Sequence, residues 1–293
     1  MERLSVLKTY KIFINGKFER AESGKVKAIR SPKEQLIANV CAAGRKDLKA
    51  AIVAARNAQG DWAQRTAYNR SQILYRMAEM LESRRADFLS ELRVQGLSAV
   101  KARTEVDLSV DRLVYYAGWC DKYSAVFSSV NPVASSHHNF SVPEPMGVVV
   151  CFCPDTEPLT GLVSLLAPLI AGGNTCVMIA STKKPLSALS FAEVLATSDV
   201  PPGLINVLSG TSADFYEDSS LHRDVNALVV SGVSKAVSTQ LAKNCSVNVK
   251  RLLVYDEEWT GKGAQSPYYI LNAQEIKTTW QSTETFPGAG VKY

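Results

Sequence analysis

Imidazole is scarce in this chain: 293 residues include three histidines, His137, His138 and His222. A reactive thiol needs a base or a cation beside it, and these are the only imidazoles available to the six cysteines. Cys41, Cys120, Cys151, Cys153, Cys176 and Cys245 lack metal-ligand spacing, so no metal site is expected. In a cytosolic chain such thiols stay reduced, and each reads as a small buried hydrophobe. An unbroken membrane-length apolar run is also missing. The most apolar stretch, "LVSLLAPLIAGGNTCVMIA" at 162–180, is interrupted by Pro168, Gly172, Gly173 and Asn174, and reads as a buried helix followed by a buried strand. The opening "MERLSVLKTYKIFINGKF" has no apolar segment suited to a signal peptide, so a cytoplasmic location and no membrane partner are expected. A stripe of one charge is absent too. The formal charge of +5 is spread among mixed signs, which leaves no footprint for nucleic acid.

What is present is material for a large core, with 46% hydrophobic residues. "KIFINGKFERAESGKVKAIRSP" alternates apolar and polar residues around Asn15-Gly16, a strong hairpin signal. From Arg45 the period becomes helical. Leu48, Ile52 and Ala55 share a face, and Ile73, Met77, Met80, Leu81, Phe88 and Leu92 continue the pattern. A third helical stretch, "VDLSVDRLVYYAGWCDKYSAV", sets Tyr115, Tyr116 and Trp119 toward the core. "FSSVNPVASSHHNFSVPEP" is polar and β-branched, and suits a projecting hairpin arm with His137 and His138 solvated.

From Met146 strands and helices alternate at the spacing of parallel βαβ units, through "GVVVCF", "NTCVMIA", "GLINVLSG" and "VNALVVSG". Ligands of such sheets bind beyond the carboxyl ends of the strands, which points to the loops after Cys153, Ile179 and Val230. The first of these lies in "CFCPDTEPL" at 151–159, with two thiols and two carboxylates. Asp155 or Thr156 is placed to cap the next helix, while Cys151 and Cys153 on one strand face leave redox work as the rival reading. "SGVSKAV" puts Ser231 and Gly232 ahead of a helix, where free N–H groups favour an anion; a plain packing turn reads equally well.

"YKIFINGKF", "PEPMGVVV", "APLIAGGNT", "PPGLINVLSG" and "DVNALVVSG" follow one another as in the aldehyde dehydrogenase superfamily, which the chain resembles over almost its whole length. More narrowly, "NRSQILYRMAE", "SVDRLVYYAGWCDKY", "CPDTEPLTGLVSLLAP" and "TSDVPPGLINVLSG" are similar to the second, non-catalytic domain of family sixteen. The resemblance implies an α/β fold: a Rossmann-like doubly wound parallel sheet with N-terminal helices and an oligomerisation β-hairpin. It divides the chain into a hairpin and helical part at 1–126, the arm at 127–145, the βαβ part at 146–255, and a linker with an oligomerisation strand at 256–293.

The superfamily's chemistry is thiolate attack on an aldehyde, oxyanion stabilisation, hydride transfer to NAD(P) and hydrolysis through a glutamate. The resemblance sets the family's Pro-Trp-Asn-Phe-Pro turn against 154–158, so Pro154 is kept but the oxyanion amide is replaced by Thr156 between carboxylates. The ribose-binding Lys and its partner fall on Ile179 and Thr182. Losing a charged hydrogen bond there costs roughly 1.5–3 kcal/mol, about tenfold to a hundredfold in affinity. The phosphate turn falls on Ser231, Gly232 and Val233, with the family's serine hydroxyl missing at Val233. No cysteine follows Cys245, and "QEIKTTWQS" resembles the superfamily's final strand, so the catalytic domain with its nucleophile and general base is expected to be missing.

Three functions follow. The first is a non-catalytic structural module that dimerises or joins a catalytic aldehyde dehydrogenase domain, with no cofactor expected and at most weak NAD(P) binding. The second is a dinucleotide- or anion-binding regulatory module at the Gly232 turn. The third is an NAD(P)-dependent aldehyde oxidoreductase using one of the six cysteines.

Overall fold

The computed structural model describes residues 6–283; the tail of the expected linker-and-strand region, 284–293, lies outside the described residues. The chain opens with β1 (Thr9–Tyr10), β2 (Ile12–Ile14) and β3 (Lys17–Glu19). Asn15 (φ 51°) and Gly16 (φ 76°) make the two-residue turn between β2 and β3. Positive φ at both central positions matches the twist of a hairpin, which is why Asn-Gly is the signal there. β4 (Val26–Arg30) and β5 (Leu36–Cys41) form with β1 a small separate sheet in the order β1-β5-β4.

Four helices follow: α1 (Arg45–Ala63), α2 (Ala67–Ser83), α3 (Arg85–Val94) and α4 (Ala99–Trp119). Three of the four starts, those of α1, α2 and α4, are written locally. Thr66 Oγ1 accepts from Asn69 N at 3.2 Å, Ser98 Oγ from Lys101 N at 3.3 Å, and Asp47 Oδ2 reaches back to Gly44 N at 2.8 Å. On α4, Tyr116 is fully buried while Tyr115 and Trp119 are half-buried. A short α5 (Tyr123–Phe127) leads to the arm, β6 (Ser129–Asn131) antiparallel to β7 (His137–Pro145), with His137 and His138 exposed.

The doubly wound part is β8 (Val148–Phe152), α6 (Thr160–Ala171), β9 (Thr175–Ile179), α7 (Leu186–Ala196), β10 (Ile205–Leu208), α8 (Ala213–Leu221), β11 (Ala227–Ser231), α9 (Lys235–Ser246) and β12 (Arg251–Tyr255). The sheet runs β12-β11-β8-β9-β10-β2-β3, parallel through the first five strands, with β2 and β3 added antiparallel. Alternate residues of each strand feed two layers. Val149, Cys151, Cys176 and Met178 join the core of α2–α4, α6 and α7. Val148, Val150, Phe152, Val177 and Ile179 join that of α1, α8 and α9.

Pro168 lies inside α6 and does not end it; the helix runs on to Ala171. All its residues are buried, and tertiary packing outweighs the roughly 3 kcal/mol that an interior proline costs an isolated helix. After β12, residues 256–273 hold only a 3-10 turn (Lys262–Ala264) and α10 (Tyr268–Leu271) before β13 (Gln274–Ser282). β13 pairs antiparallel with β7 from Gln274↔Pro145 to Ser282↔His137, making the arm a three-stranded sheet.

Candidate functional site

From β8 the chain winds through β9 and β10 to one side of the sheet, then returns to β11 and β12 on the other. The topological switch point therefore falls between β8 and β11, and the ligand crevice of such sheets lies beyond their carboxyl ends. The loop 153–159 forms one lip. Asp155 Oδ1 accepts from Ser181 Oγ at 2.6 Å and Lys183 N at 3.2 Å, which stitches this loop to the one after β9. Glu157 reaches the other way and accepts from Trp259 N at 2.8 Å, Thr260 N at 3.3 Å and Thr260 Oγ1 at 3.0 Å. Thr156 is exposed. Pro154 is buried against the first turn of α6, where a Cβ on Gly161 would lie 2.3 Å from its Cγ.

Neither Asp155 nor Thr156 caps α6. Glu105, from α4, does so: its Oε2 accepts from Leu159 N at 2.9 Å and Thr160 N at 3.2 Å. Burial pushes this carboxyl up to about 7, with the two N–H donors opposing and the nearby Glu157 adding to the rise.

Ile179 is wholly enclosed in the α1–α8–α9 layer. Thr182 holds the neighbouring loop, its Oγ1 accepting from Ser212 N at 3.1 Å and its carbonyl from Lys27 Nζ at 3.3 Å. Gly232 (φ 66°) donates its N–H to Tyr255 O at 3.2 Å, so the donor expected to be free for an anion is used by the strand beside it. The helix starts later, at Lys235, with Ser234 as its own cap. Val233 packs half-buried against the same layer as Ile179. Between α8 and α9 lies a cleft of about 370 Å³ lined by Tyr216, Glu217, Val237, Gln240, Leu241 and Asn244. The Tyr216 ring lies 4.8 Å from Phe152, and its phenol is raised by burial and by Asp155.

A residue that the sequence pattern did not single out fills the crevice. Trp259 is 0% exposed, and its Nε1 donates to Ser231 Oγ, at the end of β11, at 2.9 Å. Its ring edge lies 3.4 Å from where a Cβ on Gly161 would be, and the Tyr255 and Tyr269 rings flank it at 5.9 Å each. The Trp259 carbonyl accepts from Arg112, which also donates to Ser164. Arg112 is 1% exposed, forms no ion pair among the described residues and has an unpartnered Nε. Burial lowers its basicity. Glu157 and Ser231 thus both bond Trp259, through its backbone and its indole, and Pro154 shares with its ring the approach to Gly161, whereas Ile179, Thr182 and Val233 lie away from it. The available signal was a lone tryptophan in a charged, glycine-containing loop directly after the last parallel strand.

All six cysteines are free and buried. Burial drives the Cys151, Cys153 and Cys176 thiols far up and Cys120 to about 12, which removes the thiolate on which nucleophilic or redox chemistry depends. Among the described residues no group of three His, Cys, Asp or Glu could hold a metal ion, and no helix is long and apolar enough to cross a membrane.

A doubly wound parallel sheet with an arm of antiparallel strands defines a Rossmann-like α/β class of fold. The chain belongs to the Aldehyde dehydrogenase family, whose profile matches residues 18–283. It is 30% identical to the mitochondrial 10-formyltetrahydrofolate dehydrogenase of Homo sapiens over 94% of its own length and 30% of that protein's. It is 31% identical to an aldehyde dehydrogenase of Davidiella tassiana over 90% of this chain and 52% of that one. The NAD+ complex of an aldehyde dehydrogenase from Bacillus cereus superposes with a TM-score of 0.79 at 27% identity, covering 84% of this chain and 50% of that chain. The chain therefore spans about a third of the human relative and half of the solved enzyme.

Proposed function

We propose that this chain is a non-catalytic aldehyde dehydrogenase-like domain that serves assembly, pairing with a second copy of itself or with a catalytic aldehyde dehydrogenase domain or chain. The observation that carries the reading is the arm. β7 and β13 keep an unbroken pairing, reinforced by Ser141 Oγ to Thr278 Oγ1 at 2.8 Å and Lys277 to Glu144 at 3.0 Å, although only residues 256–273 separate β13 from β12. β13 ends its sheet with Ile276 and Trp280 exposed, and such an edge invites another strand. The likeness to the second domain of family sixteen points the same way. Light scattering coupled to size exclusion tests it. The intact chain is expected as a dimer, or as a complex with a catalytic homologue, and deletion of 276–293 should give monomer or aggregate. A monomer at high micromolar concentration that captures no such homologue overturns the reading.

The α8–α9 cleft supports a second reading, a regulatory module that retains a dinucleotide weakly. Calorimetry with NAD+ is expected to give an affinity weaker than about 1 mM. Micromolar affinity in the unmodified chain would favour this second reading. Aldehyde oxidation is expected to be absent, since all six thiols are buried and burial drives Cys151, Cys153 and Cys176 far from the thiolate form. The activity named for the 10-formyltetrahydrofolate relatives belongs to much longer proteins.

A further inference from the structure

We propose that residues 256–273 are an internal occupant of the switch-point crevice, a strap whose Trp259 indole takes the place of a ring-bearing ligand and keeps the crevice shut. The inference goes beyond the assembly reading, because it concerns the crevice and not the arm.

Three observations carry it. The first is position: the indole bridges Ser231, at the carboxyl end of β11, and Gly161, in the first turn after the β8 loop. Those two elements border the crevice where doubly wound sheets receive a ligand. The second is that every polar group of Trp259 is answered by the crevice wall. Its N–H goes to Glu157, its indole N–H to Ser231, and its carbonyl receives Arg112. A loop that merely covered a sheet end would leave its backbone groups to water. The third is Arg112 itself. A fully buried guanidinium without an ion pair is costly; Glu157 acts on it only through its field, and the acceptors bonded to it are a hydroxyl and the strap's own carbonyl. The strap's carbonyl thus stands where an acceptor of an anionic ligand group would meet the cation, whose Nε is left unpartnered.

The strap is also anchored at its far end. The Tyr116 hydroxyl donates to Ser266 O at 3.1 Å, and Arg251 donates to Asn272 O at 3.0 Å and Gln274 O at 2.6 Å. Cutting contacts at Trp259 therefore frees the crevice without freeing β13.

Calorimetric titration of the full chain with NAD+ tests the proposal, on wild type and on Trp259→Gly, with far-UV circular dichroism and a cooperative melt as proof of folding. NAD+ should bind the variant at least threefold more tightly than wild type. A smaller gain in a folded variant overturns the proposal. Should Trp259→Gly fail to fold, Glu157→Ala replaces it; that change keeps the indole but removes the acceptor of three strap bonds. The same threefold criterion applies, and 5-fluorotryptophan labelling should then show the Trp259 resonance moving toward its solvent-exposed position. A Trp259 resonance unmoved in Glu157→Ala, with unchanged NAD+ affinity, overturns the proposal as well. Oligomeric state is measured on the same samples, so a failed assembly reading and a failed strap are told apart.

Discussion

Trp259 and Trp280 stand on either side of the short helix α10 and meet opposite fates. Trp259 is sealed at 0% exposure among three polar tethers, and Trp280 stands 59% exposed on β13, with His137 in ring contact at 5.9 Å. The sealed end spends its polar groups inward: Asp155 on Ser181, Glu157 on Thr260, Glu105 on α6. The arm leaves apolar surface outward, with Val130 71%, Ile276 52% and Trp280 59% exposed. A protein that uses a crevice keeps it open, and one that uses an edge keeps the edge uncovered. The contrast is what ties the assembly reading to the arm.

Four measurements sharpen or break this contrast. The largest effect is expected from Trp259→Ala, which should cost about 3–5 kcal/mol in denaturant unfolding, as for a buried aromatic replaced by alanine. A loss under about 1 kcal/mol would mean that the indole is not packed as described. Next comes Glu105. Its carboxyl is held near 7 in the fold against an ordinary 4.5, so the folded chain binds this proton more tightly than the unfolded one. The stabilisation is complete below about pH 4.5 and is lost as pH rises through 7, a swing of about 3 kcal/mol. Glu105→Gln, which keeps an acceptor for Leu159 and Thr160, should flatten that dependence in melts taken from pH 4.5 to 8. Smaller is the cap of α2: Thr66→Ala should cost about 1 kcal/mol in chemical denaturation. Smallest is Trp280→Ala, expected to change unfolding by no more than about 0.5 kcal/mol while weakening self-association in sedimentation runs across a concentration series. A large loss of intrinsic stability from Trp280→Ala would erase the difference between the two ends.

Much of the fold could be read from local pattern. The Asn15-Gly16 turn, the heptad-like spacing of Leu48, Ile52 and Ala55, and the alternation of apolar strands with helices from Met146 all correspond to elements present, because each depends on neighbours in sequence. The stretch carrying Ile73 to Leu92 became two helices broken at Arg84, since a period alone does not mark a corner. The candidate site was less legible. Which acceptor satisfies the start of α6 is settled by Glu105, 54 residues earlier than Leu159, and no local rule could prefer it over Asp155. The Gly232 turn looked open because the strand that takes its N–H, β12, lies further along the chain. Trp259 follows the same logic: "DEEWTGKG" has the composition of a solvated loop, and burial comes from Glu157, Arg112 and Ser231, all remote in sequence.

The distribution of thiols gives the fold a built-in set of reporters. Cys120, Cys151, Cys153 and Cys176 belong to the layer of α6 and α7, and Cys41 and Cys245 to the layer of α1 and α9. Since none is exposed, an alkylating reagent can reach a sulfur only when the structure around it opens. Timed alkylation followed by peptide mapping would therefore clock the opening of each side of the sheet separately and show whether the two halves of the core breathe together or in turn.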